Sequence, residues 1–112
     1  MRRKDDKHLA FLRTLPCVIC ADNTSVEACH IKMADARVAK RIAGHVREDD
    51  RFTLPMCGAH HREQHSMSER KFWQGYGIDA VLMALAIYSV SGDAEEAERI
   101  MNARDVNVLA AG

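Results

Sequence analysis

Apolar positions fall in short bursts between polar stretches, and their spacing predicts a series of small elements. Leu9, Phe11 and Leu12, set among charges over residues 4–14, predict a short amphipathic helix that Pro16 stops. Residues 16–23 read as a tight turn with polar residues beyond it, and residues 26–32 as a short strand. Residues 33–51 are polar and basic, with Val38, Ile42 and Val46 as the spaced apolar positions, so a long loop with room for one helical turn is expected. Residues 53–57 are extended, and Gly58 allows a sharp turn into a helix over residues 60–74, which Gly75-Tyr76-Gly77 breaks. Residues 78–90 predict a strongly apolar helix, and residues 94–104 an exposed acidic one capped by Asp93. Ile78, Leu82, Leu85 and Ile87 can cover the preceding part of the chain. A face left uncovered on that helix would admit a homodimer as readily as a monomer.

The resulting fold class is α+β. At 112 residues the chain suits one domain, residues 1–112, with a core over about 12–74 and a helical C-terminal extension over about 78–104. A hydrophobic fraction of 47% and a charged fraction of 29% argue against wholesale disorder. No apolar run is long enough to span a bilayer, and the polar start does not lead into a secretory signal, so no membrane partner and a cytoplasmic location are expected. In that compartment the four cysteines are expected as metal ligands or free thiols rather than disulfides.

The net charge is zero, yet its distribution is uneven. Residues 30–47 carry Lys32, Arg37, Lys40, Arg41 and Arg47 against Asp35 alone, and residues 1–13 carry five cations against two acids. Residues 79–112 carry six acids against two arginines. A basic front suits a polyanion, with Lys32, Arg37, Lys40, Arg41 and Arg47 as the candidate nucleic-acid contacts.

Two motifs carry metal chemistry. Cys17-Val-Ile-Cys20 offers two thiolates from one knuckle, and Cys57-Gly-Ala-His60 repeats the two-residue gap with an imidazole last. Zinc takes four such ligands in a tetrahedron, so Cys17, Cys20, Cys57 and His60 predict a structural Zn²⁺ site joining a knuckle to a helix start, the treble-clef arrangement. In so small a domain the ion would add folding energy. His61 and His65, four apart on the next helix, project from one face and can share a second divalent ion. Such an ion keeps positions open for a phosphate oxygen, and His30 at the strand end can accept a proton from an attacking water. His8 and His45 have no comparable partners and are expected on the surface.

Leu15-Pro-Cys-Val-Ile-Cys20, Glu27-Ala-Cys-His-Ile-Lys32 and Leu54-Pro-Met-Cys-Gly-Ala-His-His-Arg-Glu-Gln-His65 together resemble the HNH endonucleases of the ββα-metal, treble-clef type. They look closest to small phage and prophage proteins related to the RecA-dependent nuclease Ref. The resemblance covers about residues 12–74. It implies His30 as general base, His61 and His65 as holders of the catalytic ion, DNA as substrate, and a bacterial or phage-infected cell as the setting. A recombinase filament is a further partner it suggests. In many members the residue before the base also binds the ion; here it is Cys29, which could ligate a soft ion, stand as a passive small residue, or yield to Asp35 or water. The central Asn is absent, the stretch before Leu54 reading Asp50-Arg-Phe-Thr53.

The function expected is therefore DNA phosphodiester hydrolysis with Mg²⁺, Mn²⁺, Ni²⁺ or Zn²⁺ at the second site. A zinc-stabilised module that binds nucleic acid without chemistry is the alternative. A protein-interaction adaptor built on the apolar helix is the third reading.

Overall fold

A computed structural model describes residues 3–41 and 48–104. Among these, five helices pack around one two-stranded antiparallel sheet, an α+β arrangement. Helix α1, Asp6–Leu12, starts where the Asp5 side chain accepts the His8 N–H at 3.0 Å, an N-cap that satisfies one free amide of the first turn. Its buried residues are His8 and Leu12, one turn apart. His8, expected on the surface, is therefore a core residue: its Nδ1 lies 2.7 Å from Ser91 Oγ and its ring meets Tyr88 edge-on.

Strand β1, Val26–His30, pairs with β2, Thr53–Cys57, in a register that sets Val26 opposite Cys57 and His30 opposite Thr53. All five residues of β2 are buried. Pro55 sits in this strand because its carbonyl faces the Cys17 turn, accepting the Val18 N–H at 2.9 Å, so its missing N–H breaks no bond to β1. The connecting segment contains a 3₁₀ turn at Ala36–Val38, closed by mutual main-chain hydrogen bonds between Asp35 and Lys40.

The helix expected over residues 60–74 is two helices. Helix α2, Gly58–His65, begins directly after β2, and α3, Glu69–Tyr76, begins anew at Ser68, whose side chain accepts the Lys71 N–H. Helix α2 buries no residue, whereas α3 buries Phe72 and Trp73, so the break lets one polar helix carry imidazoles while the next turns an apolar face inward. Gly77 ends α3 with φ of 66°, a left-handed turn that glycine adopts without strain.

Helix α4, Ala80–Ser89, is capped by Asp79 and buries Ala80, Val81, Met83, Ala84, Ala86 and Ile87. Helix α5, Ala94–Ala103, capped by Asp93, covers α4 with Ala97, Ile100 and Met101. One expectation about this region changes. The acidic helix is amphipathic rather than exposed, because the 3–4 spacing of its apolar residues faces α4. Helix α4 leaves Leu82 and Leu85 half-buried, and Met67 is the large hydrophobic residue left exposed among the described ones. None of the described helices is long and apolar enough to cross a membrane.

Candidate metal centre and adjoining cleft

The turn after Pro16 is held by Cys17 N–H to Asp22 O and Ala21 N–H to Cys17 O, both at 2.9 Å, with Ala21 at φ of 64°. This closes the knuckle and turns both thiols the same way. Cys57 ends β2, and His60 lies in the first turn of α2, so strand and helix deliver the second pair. The four donor atoms lie within 4.8 Å of one another. Cys20 Sγ is 3.9 Å from Cys57 Sγ, and His60 Nδ1 is 3.8 Å from Cys17 Sγ and 3.3 Å from Cys57 Sγ.

Those separations test the fit of a metal. A tetrahedral zinc with sulfur at about 2.3 Å and nitrogen at about 2.05 Å has S···S edges near ~3.8 Å and S···N edges near ~3.6 Å. The observed edges agree within a few tenths of an ångström, so these residues can hold a metal ion. Burial raises the Cys17 thiol, but the amides of Cys20, Cys57 and Ile19 around its sulfur carry it below the ordinary value. Cys20 moves the other way: the Asp22 amide lowers it, yet burial and the neighbouring Cys17 and Cys57 leave it raised. The two shifts run in opposite directions, as like charges on neighbouring sulfurs require, and a cation between them would favour both thiolates. His60 is steadied from behind by Tyr76, ring to ring at 5.6 Å and 89°.

Beside this cluster lies a cleft of about 480 Å³, lined by His30, Lys32, Glu48, His61, His65 and Glu69 among others. The sheet register brings the end of β1 next to α2, which gathers the three imidazoles that the sequence singled out. His61 Nε2 and His65 Nε2 are 2.9 Å apart. Two nitrogens bound at right angles to one ion at about 2.1 Å would be ~3.0 Å apart, so the pair suits adjacent ligands of a divalent ion. Glu27 Oε1 accepts the His61 Nδ1–H at 2.6 Å, which leaves Nε2 with its lone pair and orients the ring. A Cβ at Gly58 would lie in ordinary contact with Glu27 Oε2 at 3.4 Å and 3.1 Å from the end of the Arg62 side chain.

Cys29 is a poor candidate for a ligand of hard ions. Burial, aided by Glu27, Cys17 and Cys57, pushes its thiol up to about 12, and the thiol donates to Glu27 O at 3.7 Å. Donor atoms of Glu27, Cys29 and His61 nevertheless lie within 4.8 Å of one another, a second group able to hold a softer ion. Asp35 does not reach the imidazoles: it binds Arg37.

His30 is flanked by two carboxylates. Its Nδ1 lies 2.8 Å from Glu48 Oε2 and its Nε2 2.7 Å from Asp50 Oδ1. Glu27, Glu48 and Asp50 were not among the residues expected from the sequence. The antiparallel register was the signal for Asp50, three residues before β2 and therefore across from the end of β1.

The basic residues divide. Lys32 is exposed on the cleft, with Nζ 3.4 Å from Glu48 Oε1 and its amide donating to Glu69. Arg41 is exposed. Arg37 forks between Asp35 and Asp79, which already neutralise it. Lys40 is buried, donating to Met33 O at 2.7 Å and lying over the Phe52 ring, so its ammonium anchors the loop instead of meeting a polyanion. Arg47 and His45 lie outside the described residues.

A family model described as a protein of unknown function, DUF968, matches residues 1–91 of the 112. The chain belongs to the DUF968 family. The match takes in both cysteine pairs and all three cleft imidazoles and stops before α5. No curated protein and no solved structure matches the chain. Within this DUF968 chain, the features common to the matched stretch and the geometry are the four-donor cluster and the cleft that α2 shares with it.

Proposed function

We propose that the protein is a metal-dependent DNA endonuclease of the HNH kind, with a treble-clef, ββα-metal core and zinc in the four-donor cluster. The observation that carries the reading is one cleft in which the strand-end His30 faces a helix presenting His61 and His65 with their Nε2 atoms 2.9 Å apart. A divalent ion on that pair would supply positive charge to the scissile phosphate. His30 accepts the proton of the attacking water through a ring nitrogen. Lys32, exposed on the cleft, draws the phosphate in, and Arg41 lies on the same loop. Glu27 keeps His61 in the tautomer that leaves its Nε2 lone pair towards the cleft. The cytoplasm of a bacterial or phage-infected cell, and association with a recombinase filament, belong to the same reading.

A second reading, a zinc-stabilised nucleic-acid-binding module without turnover, is favoured by one observation. Both ring nitrogens of His30 are engaged by carboxylates. The experiment that separates them is cleavage of supercoiled plasmid and single-stranded circles in Mg²⁺, Mn²⁺ or Ni²⁺, beside a His30→Ala variant shown to keep its zinc. Cleavage by the wild type alone supports the nuclease. Binding without cleavage in every metal selects the module, and neither binding nor cleavage removes both.

A further inference from the structure

We infer that Asp50 is a positioning residue that fixes the tautomer of His30, and that the N-terminal segment and α4 hold Asp50 in place through Asp5. The inference rests on the reading of His30 as the base. The two carboxylates at His30 are not equivalent. The Asp50 side chain is only 8% exposed, and Glu48, at 33%, lies on the cleft rim and also reaches Lys32.

Asp50 is held on every side. Its Oδ2 accepts the Asp5 N–H at 2.7 Å, its own N–H donates to Arg3 O at 2.7 Å, and its carbonyl accepts the Thr53 hydroxyl at 3.0 Å. Asp5 is fixed in turn, with Oδ1 accepting from His8 N–H and Oδ2 from the Tyr88 hydroxyl of α4 at 3.0 Å. The helical extension therefore reaches the strand-end histidine through two carboxylates.

An ionised carboxylate only accepts hydrogen bonds. With Oδ2 taken by Asp5, the Oδ1 atom requires a donor from His30, so the ring proton sits on Nε2 and the lone pair on Nδ1. The reverse tautomer would set two lone pairs against each other at 2.7 Å, leaving a buried acceptor unsatisfied. An Nδ1 lone pair would meet the same repulsion from Glu48 Oε2 at 2.8 Å, but Glu48 lies on the cleft rim and can turn to water whereas Asp50 is held, so Nδ1 is the atom that can take a proton once Glu48 has moved away. Glu48, its present neighbour, is the carboxylate that an incoming phosphate beside Lys32 would displace.

The test is the ¹⁵N spectrum of the His30 ring in the full chain, at a pH where the ring carries one proton, for wild type, Asp50→Asn and Glu48→Gln. The expected result is Nε2–H in wild type and in Glu48→Gln. In Asp50→Asn an amide offers only one acceptor to the two donors that faced the carboxylate, so the ring signal should shift towards Nδ1–H. Cleavage by Asp50→Asn should fall on the order of 10²-fold in kcat with KM nearly unchanged, because a misplaced ring proton removes the base without touching the substrate contacts. An Nδ1–H ring in wild type overturns the inference without needing any variant to fold. So does an Asp50→Asn protein whose ring, or whose kcat, matches wild type. Absence of cleavage by a wild type that shows the Nε2–H ring would count against the nuclease reading and leave the Asp50 contact standing.

Discussion

Removing the metal from the four-donor cluster should cost this fold a large part of its stability. The sheet has two strands of five residues each, and a two-stranded sheet alone is marginal in water. The cluster joins the knuckle to the β2–α2 junction, three segments that meet at the donor atoms. An ion present at 1,000 times its dissociation constant stabilises the folded state by about 4.1 kcal/mol. For 112 residues, the unfolding entropy near 60 °C is roughly 240 cal/mol/K, so that contribution corresponds to a Tm shift of about 17 °C. The perturbation is a chelator in excess, compared with Cys20→Ser, chosen because Cys20 is the exposed member and its replacement leaves no core cavity. Scanning calorimetry with elemental analysis should find one tightly held zinc per chain and a fall of that size in both cases, with chelator adding nothing further to the variant. A chelated wild type that melts within ~2 °C of the untreated protein would show that the cluster is not a structural metal site, since it would place the contribution near 0.5 kcal/mol.

Replacing Glu27 with Gln should weaken Mn²⁺ or Ni²⁺ binding at His61 and His65 by about 10–100-fold in a calorimetric titration, because the ring loses its orienting carboxylate; equal affinity would place the ion elsewhere. Leu54→Ala, at a side chain with 0% exposure in β2, should lower stability by about 2–5 kcal/mol in urea unfolding, whereas Met67→Ala, at an exposed site, should change it by no more than ~0.5 kcal/mol. Burial lowers the pKa of His8, even though Asp5 and Asp50 oppose the shift. A histidine that binds its proton less well folded than unfolded makes no demand above the unfolded value and costs stability as pH falls below about 6.5. Melting temperatures at pH 7.5 and 5.5 should therefore differ less for His8→Phe than for wild type.

Much of the cluster was legible because metal ligation leaves a spacing signature. Cys17-x-x-Cys20 and Cys57-x-x-His60 each put two donors on one turn, which needs no knowledge of the remaining fold. Strand β2 followed from Gly58 and the apolar run before it, and β1 from the short run at residues 26–32. What escaped was decided across the sheet or between helices. Glu27, Glu48 and Asp50 sit far in sequence from the imidazoles they touch, and only the register of β1 on β2 shows the contacts. Arg37 and Lys40 count as cations in any sequence reading, yet one is neutralised by Asp35 and Asp79 and the other is buried over Phe52. Ser68 before Glu69 was a readable cap, and the single long helix ignored it. His8, with Leu12 one turn on, was placed on the wrong side because it has no partner histidine near it in sequence, while its neighbours in space are Ser91 and Tyr88.

Helix α2 links the two sites more tightly than proximity alone. His60 contributes to the four-donor cluster, and the next residue, His61, faces the cleft, with His65 one turn later. Successive helical residues are separated by 100° around the axis, so fixing His60 Nδ1 on the cluster fixes the azimuth of His61 and His65 as well. The helix buries no residue fully, so core packing restrains that azimuth less than it does in the other helices. The cluster restrains it together with the Glu27 contact at His61 and with Tyr76, whose ring meets His60 and whose hydroxyl donates to Glu63. Loss of an ion from the cluster is therefore expected to loosen the imidazole pair even where the rest of the fold survives. In chelator concentrations that would empty the cluster but leave α4 and α5 packed, divalent binding at His61 and His65 should weaken before the global unfolding transition. Unchanged binding after loss of the ion would mean that Glu27, Tyr76 and the sheet orient α2 without it.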